Sequence, residues 1–467
     1  MLFVVNCVTK AQNFRQGAEF DQDKYEQQAS VSLLASRDSS KLPAKVDLSG
    51  YCPIPGSQGK FGTCTSWATA YHARTILEGI NQRELGAARA NREAFSPSFI
   101  YNQIRKKSGC QNGTSIEDAM ILLKTSGALK ASVIKFNCSF NDWGRYDDIV
   151  RPHTIYDFLR LHDLYDNNKV QQVKKALAAK QPVVIGMHLT NSFQKIKSDG
   201  FYKPNSVDRG IEIDRAFFDA DKYSGHAMTV VGYDDNKGRH GAFHVINSWG
   251  SKWGQRGFCW IEYVDFNRFV VQSFSMIDKP KYTADLRGSV ILETSKIKTM
   301  NGVFDAKQKA YRLAKIYPKK TKFRIYLKNT SPIYLYAFGF DQTSKFFNVF
   351  PHKPSVSPYI PYENVHVPIP DEEHFIELDG NAGRNDLCVI FSVKPLPIEK
   401  ILKDLKKRGK QIRDDKIPLY DAVSQVLKIH GHSVVAEKNT GFKFNKFEFN
   451  SKRLDETCVP LIIKFAN

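Results

Sequence analysis

Residues 58–71 read QGKFGTCTSWATAY. Cys64, Trp67, Ala68 and Tyr71 recur at i, i+3, i+4 and i+7, the spacing of one face of a helix that begins at the cysteine and runs to about Glu78. A cysteine in the first turn of a helix is a particular chemical arrangement, because the positive end of the helix stabilises a thiolate and lowers the thiol pKa. Gln58 stands six residues earlier, and Gly59 and Gly62 permit a tight loop that folds its amide back toward the sulfur. A side-chain N–H there, with the backbone N–H of Cys64, would stabilise a tetrahedral oxyanion. Alone, a cysteine at a helix start is more often a buried packing residue, so the weight falls on a second segment.

That segment, residues 225–261, reads GHAMTVVGYDDNKGRHGAFHVINSWGSKWGQRGFCWI. His226 opens one apolar strand and Asn247 closes another, a layout that brings both to one edge of a small sheet. An asparagine carbonyl accepting the imidazole N–H would set the ring's tautomer and aim, the part a third group plays in a catalytic triad. Trp249 would shield that bond from water. Other histidines offer less: His72 shares the Cys64 helix on another flank and reads as structural, and His240 and His244 lack acidic or cysteine partners at metal-ligand spacing.

Together, Gln-Gly-x-x-Gly-Thr-Cys at 58–64, Gly-His-Ala at 225–227 and Asn-Ser-Trp-Gly-x-x-Trp-Gly-x-x-Gly-Phe at 247–258 resemble the papain-like cysteine peptidases, in the family's own order and over about residues 42–278. The resemblance implies an α+β, two-lobed papain-like fold, with a helical lobe and a β-barrel-like lobe. It implies that Cys64 is the nucleophile, His226 the acid/base, Asn247 the residue that orients it, and Gln58 part of the oxyanion hole. It makes Gly113, in SGCQNGTS (108–115), a backbone contact to extended substrate, with Trp249 as a second substrate-binding candidate. No metal and no cofactor are implied. Three departures stand out. Thr65 follows the nucleophile where the family usually has tryptophan, Phe61 replaces the cysteine that usually pairs with the position resembling Cys110, and the family's long inhibitory prodomain is not recognisable.

The 467 residues point to two domains, and 42% hydrophobic with 25% charged residues is ordinary globular composition. Residues 1–11 read as a signal-peptide remnant with cleavage after Ala11; Cys7 is a poor lipid-attachment site. Residues 12–41 read as a flexible leader and 42–280 as the peptidase domain. Residues 285–467 read as a β-rich accessory domain with one or two helices, Ile398–Arg413 and Leu419–Leu427. Their short strands resemble a bacterial β-sandwich domain joined to secreted enzymes. The net charge of +20 reads as a solvated basic surface, with no nucleic acid partner, and no stretch is long enough for an integral membrane segment. The expected protein is a secreted or periplasmic endopeptidase acting on protein or peptide substrates, with an accessory domain that docks a partner or envelope component. Two alternatives use the same residues: an inactive peptide-binding scaffold, and a cell-wall peptide amidase or transpeptidase.

Overall fold

The computed structural model describes residues 16–30, 42–83, 85–139, 144–211, 225–278, 286–353, 356–361, 366–370, 374–378, 385–434, 440–443, 446–450 and 457–466. The expected signal peptide at 1–11 lies outside them. The chain divides into two compact units, residues 1–28 with 43–279, and 29–42 with 280–467.

In the first unit, strand β1 (Ala18–Glu19) and helix α1 (Gln22–Glu26) precede β2 (Lys45–Asp47). A continuous helix α2 follows, α-helical over Cys64–Ser66, π-helical over Trp67–Arg74 and α-helical again over Thr75–Gln82. The wider turn shifts the expected face: Tyr71 ends half-buried, while His72 turns into the interior. Strand β3 (Thr114–Ser115) leads into α3 (Ile116–Thr125), where Ser115 accepts from the Asp118 N–H and two acids occupy the first turn.

Further strands are β4 (Asp157–Arg160), β5 (Val183–His188), β6 (Gly225–Asp234), β7 (Ala242–Ile246), β8 (Phe258–Glu262) and β9 (Val270–Ile277). Strands β5, β6 and β9 are buried almost throughout, which explains their near-continuous apolar sequences. They run in the order β3-β1-β6-β5-β9-β4, with β2 and β7 also on β6 and β8 on β7.

The second unit carries a six-stranded and a seven-stranded sheet among the described residues. Lys322–Asn329 alternates buried and less buried positions as a half-buried strand should, whereas Ile333–Asp341 is buried on both faces at the centre of its sheet. The single helix expected at 398–413 is two, Ile398–Lys406 and Gly409–Arg413. They part next to Gly409, where an added Cβ would stand 3.2 Å from Ser344. Leu419–Ile429 supplies the other expected helix.

Residues 16–28 are not the flexible leader the sequence suggested. Tyr25 is fully buried, donates to the His162 carbonyl at 2.7 Å, accepts the Ser273 N–H at 3.2 Å and meets the Phe274 ring edge-on. Lys24 bonds to Asp118 and Ser115, and Glu19 to Lys106. Ser30, two residues past this part, bridges Val356 of the second unit. Isolated polar composition concealed one aromatic anchor worth more than the surrounding polarity. Tyr25→Ala is expected to cost about 3–5 kcal/mol of stability, measured by urea unfolding; a cost near zero would mean the leader is not part of the core.

Candidate active site

Cys64 stands at the first turn of α2, His226 in β6 and Asn247 just past β7; because β6 pairs with β7, the histidine and asparagine share one sheet. His226 Nε2 lies 2.7 Å from Asn247 Oδ1, and the Ser248 backbone N–H donates to the same Oδ1 at 2.7 Å. A backbone N–H can only donate, so the atom facing it must be the carboxamide oxygen, and the histidine nitrogen facing that oxygen must carry a proton. His226 is therefore the Nε2–H tautomer, and its Nδ1 keeps a lone pair. Nδ1 has no hydrogen-bond partner among the described residues, and the next backbone N–H, of Ala227, reaches Cys64 Sγ at 3.5 Å.

Gln58 joins the same network. Its Oε1 accepts from Ser248 Oγ at 2.6 Å, its backbone N–H donates to the Ser248 carbonyl at 2.8 Å, and its Nε2 donates to the Phe61 carbonyl at 2.7 Å. Ser248 thus couples Gln58 to Asn247. The sequence reading passed over this serine although it lies inside the quoted Asn-Ser-Trp run. Trp249 stacks near His226 at 4.8 Å and packs on Phe193 and Trp253. It is only 2% exposed, so it shields the His226–Asn247 bond from water.

The departures have local explanations. Thr65 donates to the Thr114 carbonyl at 2.9 Å, tying the nucleophile's helix to β3. Trp67 packs on Tyr71 and Phe136 as core. Cys110, denied a partner at Phe61, forms a disulfide with Cys138. His244, excluded above as a metal ligand, stacks on Trp260 at 4.5 Å.

The extended-peptide position beside Gly113 is filled by the chain's own β1. Ala18 and Glu19 run parallel to Thr114 and Ser115, and Ala18 pairs antiparallel with Gly225. The Thr114 N–H donates to the Gly17 carbonyl at 2.9 Å, and the Gly17 N–H to the Gly225 carbonyl at 3.1 Å. The backbone donor to β1 is thus Thr114, the residue after Gly113. Gly113 instead supplies space, since a Cβ there would meet Gly17 O at 2.8 Å.

With β1 in place, Cys64, His226 and Asn247 are 0% exposed. Burial pushes the Cys64 thiol up to about 11, opposed by the backbone N–H groups of Ala227, Gly17 and Thr65 and by the Thr65 side chain. Burial pulls His226 down to about 4, opposed by its bond to Asn247. Desolvation opposes the helix end here, which favours a neutral thiol and a neutral imidazole while the site is covered.

A family model described as papain family cysteine protease matches residues 43–276, half of the chain. The chain belongs to the papain family of cysteine proteases. Among curated proteins, an uncharacterized peptidase C1-like protein of Acanthamoeba polyphaga mimivirus is 29% identical over 232 residues, covering 43% of this chain and 61% of that protein. Cathepsin L of Sarcophaga peregrina is 23% identical over 222 residues, covering 46% and 58%. Among solved structures, xylellain, a cysteine protease from Xylella fastidiosa, aligns with TM-score 0.42 and 20% identity, covering 58% of this chain and 97% of that one. The chain spans 50–61% of the length of such curated relatives. Among the described residues no helix is long and apolar enough to cross a membrane, and no group of three His, Cys, Asp or Glu is placed to hold a metal.

Only the thiolate alkylates readily, so a covered papain-family thiol near 11 should react slowly with iodoacetamide at pH 7. Its rate should climb roughly tenfold per pH unit toward that value. Peptide mapping of Cys64 by mass spectrometry checks this; rapid labelling at pH 7 with a flat pH profile would contradict it.

Proposed function

We propose that this chain is a cysteine endopeptidase that hydrolyses peptide bonds through an acyl-enzyme. The carrying observation is the shared Asn247 oxygen, which leaves a lone pair on His226 Nδ1, while the N–H of the adjoining Ala227 reaches the sulfur at 3.5 Å. Once a substrate peptide has displaced β1, Nδ1 takes the Cys64 proton and the thiolate attacks the carbonyl carbon. The resulting oxyanion is held by the Cys64 backbone N–H and the Gln58 amide. The imidazolium then returns its proton to the departing amine, leaving a thioester. Water, deprotonated by the same nitrogen, releases the acid and restores the thiol. The proton count closes with no cofactor.

A second reading, a peptide-binding scaffold, draws on the complete burial of the site beneath β1. Turnover separates the two. On a fluorogenic peptide, Cys64→Ala should abolish cleavage and Asn247→Ala should lower kcat/KM by on the order of 10²-fold. Full activity in Cys64→Ala would end the peptidase reading.

An extracytoplasmic site of action is part of this proposal, supported by the apolar opening residues and by the Cys110–Cys138 disulfide, which suits an oxidising compartment. A β-sandwich accessory role for residues 285–467 draws support from the ring contact of Phe323 in one sheet with Phe465 in the other, at 5.3 Å. Docking to a partner or envelope component would suit such a domain.

A further inference from the structure

In the second unit, residues 398–413 carry seven basic side chains against two acids. They form the helices Ile398–Lys406 and Gly409–Arg413. Ile401, Leu402, Leu405 and Ile412 are buried, whereas Lys400, Lys403, Lys406, Lys407 and Lys410 are exposed. At about 3.6 residues per turn, Lys400, Lys403 and Lys407 fall within about 60° of one another, on the side opposite the buried stripe. Lys410 follows three residues on.

Only part of this charge is answered from within the unit. Asp404 holds Lys407 at 2.7 Å with one oxygen and His430 Nε2 at 3.0 Å with the other. Lys400, Lys403, Lys406 and Lys410 have no ion-pair partner among the described residues. The spacing works against the helices themselves, because like charges three or four residues apart repel, as at Lys400–Lys403, Lys403–Lys406 and Lys403–Lys407. A helix dipole favours cations in a last turn, which suits Lys403 and Lys406; Lys400 and Lys410 stand in first turns, where it disfavours them. Solubility alone is served as well by interspersed signs, which also relieve the repulsion. The row is arranged for an opposite charge supplied from outside.

The neighbouring helix Leu419–Ile429 indicates what supplies it. The His430–Asp404 and Arg408–Gln425 bonds hold its outer side beside the lysines. Lys428 and Ile429 are exposed there, Ile429 by 65%. No exposed aromatic ring lies on the three helices among the described residues. A single-stranded nucleic acid binds through such rings as stacking platforms. A bilayer interface instead takes an aliphatic tip into its headgroup layer and attracts lysines through its negative surface potential.

We propose that this helical face, Lys400, Lys403, Lys406 and Lys410 with Lys428 and Ile429, is a docking surface for an anionic phospholipid bilayer. The inference rests on the envelope docking proposed above for residues 285–467 and names the chemistry of that partner. It is independent of the peptidase reading.

The full chain is tested by cosedimentation with vesicles of phosphatidylcholine, alone or with about one-third phosphatidylglycerol. Binding is expected only with phosphatidylglycerol, weakening as salt rises from about 50 mM to about 500 mM. Each lysine near such a surface contributes a factor of about five, so Lys400→Gln, Lys403→Gln and Lys410→Gln together should lower the apparent affinity on the order of 10²-fold. Glutamine matches lysine in helix propensity, and an unchanged melting temperature confirms the fold. Should the melting temperature fall, Lys403→Gln alone is read, with a loss of about fivefold. Lys315→Gln, Lys319→Gln and Lys320→Gln remove the same charge from exposed positions elsewhere in the unit and should leave binding nearly intact. Equal losses in the two triple variants, or no loss in the first, overturn the face and leave envelope docking standing. Tighter binding of single-stranded DNA than of anionic vesicles, read by fluorescence anisotropy, overturns the lipid partner. No binding to either vesicle overturns the inference and the envelope docking together.

Discussion

One carboxamide oxygen, Asn247 Oδ1, accepts two N–H groups, and the site depends on that sharing. The Ser248 backbone N–H fixes which end of the amide faces inward, and the oriented oxygen then fixes the protonated nitrogen of His226. Placing the oxygen requires the chain to turn sharply after β7. The Asn247 N–H donates to the Gly257 carbonyl, and Gly257 has φ +91° with Pro55 so close that a Cβ would lie 2.4 Å from it. The tryptophans inside this turn, Trp249 and Trp253, pack against each other and Phe193, keeping water from the polar bond. A hydrogen bond inside such a dry enclosure is stronger, and its loss more costly, than the same bond in water.

The same dryness works against ionisation. A helix end contributes a fraction of a charge, worth at most about 2 kcal/mol in partly buried geometries, while full burial of a thiolate or imidazolium shifts a pKa by several units. With β1 seated, burial is the larger effect. In the covered state burial pushes the thiol up and pulls the histidine down, which disfavours their ionised forms. The anchors of the covering segment lie outside the site: Tyr25 in the core, Lys24 on Asp118 and Glu19 on Lys106. Displacement of β1 from Cys64 is therefore compatible with the anchor at Tyr25 staying in place.

Much of the site was legible from residue order alone, because Cys64, His226 and Asn247 sit in motifs whose residue types each serve one chemical need. The strands that carry His226 and Asn247 were legible too, since β6 and β7 hold apolar runs. What escaped was non-local. Strand β1 is two residues long, has no period of its own, and exists only because Thr114 and Gly225 lie on either side of it. The π-helical stretch of α2 leaves the expected helix in place but exchanges Tyr71 for His72 at the interior. The break before Gly409 and the pairing of Cys110 with Cys138 likewise reflect contacts between distant segments. Local propensity carries no information about such contacts.

The pairing of Cys64 with His226 is tested most directly by an irreversible, thiol-directed peptide inhibitor, with the adduct mapped by mass spectrometry in the native protein and in His226→Ala. The account predicts modification at Cys64 and its loss or marked slowing without the imidazole. Modification at Cys52 or Cys259 instead, or of Cys64 at an unchanged rate in His226→Ala, would contradict it.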